Sequence, residues 1–392
     1  MQIKQAFLFI TILGTAAYFR FTGIYWDGNA HLHPDERFLT MVTTNISLPT
    51  SISEYFDTAH SPANPHNKDA SFYVYGTYPV HFTKLVAQLF NKDTYDDRTP
   101  VSRGLSGIVD LLTLIVVFLL AYAVSNFSRG AGRDLPAGRQ GTKNLDTALI
   151  AMFCYAVMVT PIQLSHFYTV DPYTTLFITI ALYRIIRGKF DVWLGIALGL
   201  AIGAKISSVI FLPIVGIAFL LSWKKKNIVR DAIVVAITTM ATVRISYPYL
   251  FVGWKLNPLV LNNWKELKGF GGPSTGFPPA LQWFGVPFWQ PSLDMIVWGL
   301  GIPLGIIAVM AILYHVSRVR RHATNGIILL LLWIVFLLLY QSAQFAKAMR
   351  YLWPIYPAIA VLCGLFLSRI RISYILALPA LLALLIWPFA FT

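Results

Sequence analysis

Apolar runs of membrane-spanning length recur from one end of this chain to the other, and no other feature restricts its fold as strongly. A bilayer core takes about 20 helical residues, fewer where a helix meets a wetted cavity, and admits only helices or closed barrels. On that measure spans are expected near Gln5–Phe21, Gly104–Ser125, Asp146–Gln163, Pro172–Arg187, Asp191–Ala204, Ile206–Ser222, Ile228–Phe251, Ser292–Val316, Asn325–Tyr340, Tyr351–Leu367 and Ser373–Phe391. Hydrophobic residues make up 56% of the 392 and charged residues 12%, against about a quarter in a soluble domain. The expectation is an all-α polytopic membrane protein of about 11 transmembrane helices, one domain over residues 1–392. Arg20 and Phe21 stand where a signal peptide would place small residues for cleavage, so the first span is read as uncleaved.

Charge orients these helices. A net charge of +14 raises nucleic acid as a partner, but 11 Trp, 19 Tyr and 27 Phe among apolar runs point to aromatic belts and basic loops facing membrane lipids instead. With the N-terminus cytoplasmic, the inside loops hold Arg129, Arg133, Arg139 and Lys143, then Arg184, Arg187 and Lys189, then Lys224, Lys225, Lys226 and Arg230. Arg318, Arg320 and Arg321 follow, then Arg369 and Arg371. Every short inside loop is basic, as the positive-inside rule requires. Fusing Asp191–Ser222 into one span would put the Arg184–Lys189 and Lys224–Lys226 clusters on opposite sides, which favours eleven. Cys154 and Cys363 both fall inside apolar segments, so neither a disulfide framework nor a metal cluster is indicated.

Two long loops then face outside. The first, 22–103, contains a Phe72-Tyr73-Val74-Tyr75-Gly76-Thr77-Tyr78-Pro79 segment suited to lying along the interface, and His81 to Phe90 fits a short amphipathic helix. The second, 252–291, has Trp254, Trp264, Trp283 and Trp289 among Gly and Pro, as in a mobile loop over a site or an ordinary interfacial belt. The inside stretch Arg129 to Asn144 is turn-rich and reads as a flexible linker. The chain shows no internal repeat.

His33-Pro34-Asp35-Glu36-Arg37 lies about a dozen residues beyond the first span. Ionised carboxylates near a membrane are expensive unless they sit in water and act there. Either chemistry occurs at the membrane surface, or Pro-Asp-Glu simply starts a surface helix. Further ionisable groups share the outer side: Arg103 with Asp110 two helical turns deeper, His166 and Asp171, Lys205, Arg244, Lys347 and Arg350. Together they suggest a pocket holding an anion, such as a lipid headgroup, beside a carboxylate. Singly each has a plain alternative: Arg103 and Arg350 snorkel, Asp110 pairs with a neighbouring arginine, Lys205 punctuates a loop. His31 and His33 lack a matching distant Cys or His cluster and are read as capping or solvated rather than zinc ligands.

HPDERFL, NPHNKDASFYVYGTYPVHF, RGLSGIVDLLT, SHFYTVDPYTTLF, GLAIGAKISSVIFLP and FAKAMRYLWPIYPAIAVL, in this order, resemble bacterial phospholipid carrier-dependent glycosyltransferases. These belong to the GT-C superfamily, with protein O-mannosyltransferases and lipid A aminoarabinose transferases as relatives. The resemblance implies an enzyme of the plasma (inner) membrane, its site facing the outside or periplasm. It would move a sugar from a polyprenyl-phosphate donor, with inversion, to a glycan, lipid or protein hydroxyl. It assigns the base to Asp35, with Glu36 the neighbouring candidate. Donor phosphate would be held by Arg103, Lys205 and Arg350, with Lys347 and Arg244 behind them. Asp171, beside His166, takes the place of a second acidic group that binds metal or orients the acceptor. Some GT-C members need a divalent ion and the mannosyltransferase-like ones generally do not, so no cofactor is expected as certain. The longest members carry a soluble C-terminal domain, and none is expected after Thr392. Two rivals stand beside this reading. A flippase or transporter of lipid-linked sugars would show charge near the bilayer centre in matching halves, and a scaffold would not gather carboxylates and cations at one depth.

Overall fold

The computed structural model describes residues 2–129, 137–270, 272–273, 278–322, 324–370 and 374–390, without side chains at 127–129, 137–140, 320–322 and 374–381. The first helix, α1 (Ile3–Phe21), is followed by a segment of short helices: α2 (Pro34–Asn45), α3 (Ile52–Phe56) and α4 (Tyr78–Leu89). Next come α5 (Thr99–Arg129), α6 (Ala137–Ala156), α7 (Val159–Ser165), α8 (Asp171–Ile186), α9 (Val192–Ala204), α10 (Leu212–Leu221) and α11 (Ile228–Ser246). A two-stranded hairpin, β1 (Phe251–Val252) and β2 (Lys255–Leu256), leads to α12 (Pro258–Phe270) and α13 (Gln290–Asp294). The chain closes with α14 (Ile302–His322), α15 (Asn325–Ala343), α16 (Tyr356–Leu367) and α17 (Tyr374–Ala390).

Helices lie across all eleven expected segments, but fewer are long and apolar enough to cross a membrane alone. Among the described residues Thr99–Asn126, Ile302–Val319, Asn325–Ala343 and Met349–Leu367 qualify, and α6 with α7, bent by 58°, makes a fifth. The expected count of about 11 crossings is therefore not reached by helix length. Two of the expected spans are interrupted: α9 is capped at Lys205, and the chain breaks at Val157 and Met158 between α6 and α7. Residues 137–144 are helical rather than linker, while 130–136, with Arg133, lie outside the described residues; so do the side chains of Arg129, Arg139, Arg320, Arg321 and Arg371.

One large apolar core joins α1, α5, α6, α8, α9, α15 and α16, with Trp333 and Trp353 fully buried in it. Beside it, α9 and α11 meet along a seam of small residues. A Cβ at Gly195, Gly199 or Gly203 would collide with Thr238, Thr242 or Ser246 respectively. Four-residue spacing puts the three glycines on one face, letting the helices approach closely where apolar burial gives little drive inside lipid.

α5 carries two ionic layers seven residues apart. In the deeper one Arg20 Nε donates to Asp110 at 2.5 Å, Tyr155 donates to the other Asp110 oxygen at 2.5 Å, and Trp353 Nε1 donates to Tyr155 at 3.2 Å. In the outer one Arg103 donates to Glu36 and Asp27. Ions this dry persist only when paired and hydrogen-bonded.

Candidate active site

Helix α2 begins at Pro34 because proline supplies a preset φ and lacks an N–H that would go unbonded there. The cap is His33, whose Nδ1 accepts from the Glu36 N–H at 3.4 Å while its ring stacks on Phe167 at 4.5 Å. Asp35 is thereby free of capping. Its carboxylate pairs with Arg350, on the 3₁₀ segment Met349–Ile355 that opens α16.

Adjacent helical residues diverge by roughly 100°, and the two carboxylates go to different places. Glu36 is fully buried against Arg103 Nε and Nη2, at 2.7 and 2.9 Å, and accepts from the Tyr168 N–H at 3.3 Å. Arg103 further donates to Asp27 at 2.8 Å and the Ile24 carbonyl at 2.7 Å, under the Trp26 ring. Burial works to raise the Asp27 carboxyl, but the Arg103 guanidinium and the Leu32 N–H hold it below its usual range.

Asp171 and Lys205 form a second pair at the cleft, 2.7 Å apart. Asp171 opens α8, and Lys205 marks the break between α9 and the 3₁₀ turn Ile206–Phe211. Lys205 Nζ lies 4.9 Å and the Arg350 guanidinium 5.2 Å from the Tyr351 ring centre, so one aromatic joins both pairs. Tyr75 closes the group. Burial and then the Asp35 charge push its hydroxyl well above the usual tyrosine range. For Asp35 burial again acts upward, yet Arg350, His33 and Lys205 outweigh it and keep the carboxyl below the usual range. Burial lowers His33 against the pull of Asp35.

Tyr75 reaches this position through the seam. Gly76 donates to the Ala204 carbonyl at 2.9 Å, and a Cβ on Gly76 would strike the Gly203 carbonyl. Only glycine lets the loop before α4 touch the end of α9 so closely, one residue from Lys205.

Other expected residues lie elsewhere. Arg244 packs between Phe56 and Phe251 at 4.8 and 5.5 Å and donates to the Pro248 carbonyl. Lys347 Nζ donates to the Gln344 carbonyl at 2.6 Å. His166 sets its two ring nitrogens against the Ile162 and Thr22 carbonyls, at 2.8 and 2.7 Å, stitching α7 to the end of α1. Asp35, Asp171, Lys205 and Arg350 are thus brought together, whereas Glu36 and Arg103 form a separate buried unit. Asp27, Tyr75 and Tyr351 were not anticipated. The four-residue glycine spacing in GIALGLAIGA was a legible signal for the seam that holds Tyr75.

Among the described residues no three His, Cys, Asp or Glu converge as metal ligands. Asp35 and Asp171 are each already neutralised by a cation, so a dication would have to displace both Arg350 and Lys205.

No family model matches the chain, and no curated protein matches it. Solved structures do. The Archaeoglobus fulgidus oligosaccharyltransferase in complex with Zn and sulfate is similar at 15% identity and a TM-score of 0.61, over 98% of this chain and 52% of that one. AglB from the same organism, in complex with an inhibitory peptide and a dolichol-phosphate, is similar at 16% and 0.59, over 98% and 55%. ArnT from Cupriavidus metallidurans bound to undecaprenyl phosphate is similar at 15% and 0.58, over 92% and 60%. The chain spans between half and two thirds of the length of these proteins. At such identities the likeness is one of fold alone: the chain has the fold of these oligosaccharyltransferases and of ArnT.

Proposed function

We propose that this protein is a glycosyltransferase that takes a sugar from a polyprenyl-phosphate carrier and delivers it, with inversion, to an acceptor hydroxyl at the outer face of the plasma membrane. The observation that carries this reading is the cluster of Asp35, Arg350, Lys205 and Asp171 around Tyr351 and Tyr75. A partly exposed carboxylate next to two cations is what transfer from a lipid phosphate needs. That two proteins of the same fold are described with polyprenyl phosphates supports the carrier class.

In this mechanism Asp35 accepts the acceptor's hydroxyl proton, and the freed oxygen attacks the anomeric carbon. The bond from that carbon to the phosphate oxygen breaks with its electron pair going to the phosphate. Arg350 and Lys205 take up the charge gathering there. Asp171 holds Lys205 in place. Attack opposite the leaving phosphate gives inversion. Arg103 and Glu36, expected as phosphate ligand and alternative base, are reassigned to holding α2 against α5. Their donors and acceptors are already spent on each other, Asp27 and backbone.

Purified protein in lipid vesicles, given a radiolabelled hexosyl polyprenyl phosphate and an envelope-lipid extract, should release free polyprenyl phosphate as label moves to an acceptor. Transport of intact donor across the vesicle without cleavage would replace this reading with that of a flippase.

A further inference from the structure

Arg350 and Arg103 both face carboxylates of α2, but Arg350 is bound far more loosely. It meets Asp35 through Nη1 alone, and both side chains keep about a fifth of their surface open, at 23% and 21%. Lys205 keeps 17% and Asp171 9%. The four groups balance in charge, two anions against two cations, around a single aromatic ring. An arriving phosphate diester makes three anions against two cations. Arg350 offers a planar guanidinium suited to bidentate phosphate contact, and its present bond to Asp35 leaves that fork largely unused.

We propose that Asp35 is masked by Arg350 until the carrier's phosphate takes Arg350 for itself, so that donor binding is what unmasks the base. The proposal rests on the glycosyl-transfer reading above and adds an order to it, donor before acceptor deprotonation. The charged groups that act on Asp35 are Arg350 before α16, His33 ahead of α2 and Lys205 at the end of α9, while Tyr75 in the loop before α4 feels its charge; Asp171 pairs with Lys205, and Tyr351 lies under both cations. Moving Arg350 to the phosphate removes the nearest positive charge from Asp35 and adds a negative one nearby. Both changes strengthen a carboxylate as a proton acceptor. A base idle without donor also has no means of activating water in an empty site.

The test is binding of farnesyl phosphate to the purified full chain by calorimetry. Asp35→Asn removes the internal competitor and should bind about tenfold more tightly than wild type, with Asp35→Ala shifted in the same direction. Lys205→Ala should weaken binding, marking the phosphate position. Equal or weaker binding by both Asp35 variants, each folded by its thermal transition, would overturn the masking and leave glycosyl transfer standing. Failure of wild type to bind farnesyl phosphate at all would overturn the carrier-phosphate reading and the masking with it.

Discussion

Two arginines meet carboxylates from neighbouring positions of α2, and they do so in opposite ways. Arg103 is fully buried and divides its donors among Glu36, Asp27 and the Ile24 carbonyl. Arg350 is partly wet and holds Asp35 by one nitrogen. A saturated, dry ion pair resists exchange, because releasing either partner strands a charge in a low dielectric. A partly solvated single contact can be traded for another anion at small cost. The same residue pairing thus serves as a strut at one site and as a replaceable counter-ion at the other.

The largest effect that could break this contrast is on stability. Arg103→Ala strands Glu36 and Asp27 and should cost about 3–5 kcal/mol, read as a lowered thermal transition in detergent and poor yield. Arg350→Ala should lose far less. Equal melting temperatures would erase the distinction. Next comes activity: Asp35→Asn should cut sugar transfer by roughly a hundredfold or more while keeping the wild-type transition. Glu36→Gln should lose stability first and turnover only in proportion to unfolded protein. A larger specific loss of turnover in Glu36→Gln would return the base to Glu36.

The seam allows a sharper version. Gly203→Val overpacks α9 against α11 and should cost roughly 1–3 kcal/mol. It should also lower affinity for a prenyl phosphate by displacing Lys205, an effect that a substitution on the exposed side of α11, such as Ile237→Val, should not share.

The smallest effect is one of pH. Burial drives His81, whose Nε2 faces the Ala63 carbonyl at 2.9 Å, down to about 4. Its folded value lies below its unfolded one, near 6.5, so the unfolded chain gains the proton first as the medium is acidified. Stability from this residue is intact above about 6.5 and declines toward 4. Asp27 and Asp35, held below the usual carboxylate range, contribute stability above about 4 that is lost only at lower pH. Thermal unfolding should therefore soften in two stages on acidification, and His81→Gln should remove part of the first.

What could be read in the sequence followed from one-dimensional signals. Apolar runs located the helices, and Pro34 marked the start of α2. What escaped it depended on three-dimensional pairing. Arg103 precedes an apolar run, as Arg350 does, and nothing local tells which finds Glu36 in the dark and which finds Asp35 at the edge. Asp27 sits in an unremarkable turn until Arg103 and the Leu32 N–H reach it. Arg244 stands in the last turn of its helix, but the rings of Phe56 and Phe251 claim it. The count of eleven spans is not confirmed by helix length, because several helices in the expected segments, among them the one capped at Lys205, are short.

The contact of Gly76 with Gly203 and Ala204 has a mechanical consequence. It clamps Tyr75 and Lys205 to one stiff wall, since neither backbone can shift without collision. The opposite wall, bearing Arg350 and Tyr351, rides on a short 3₁₀ turn interrupted by Pro354. The two sides of the cluster are therefore built differently, one set by direct contact of backbone on backbone and the other carried on a short turn.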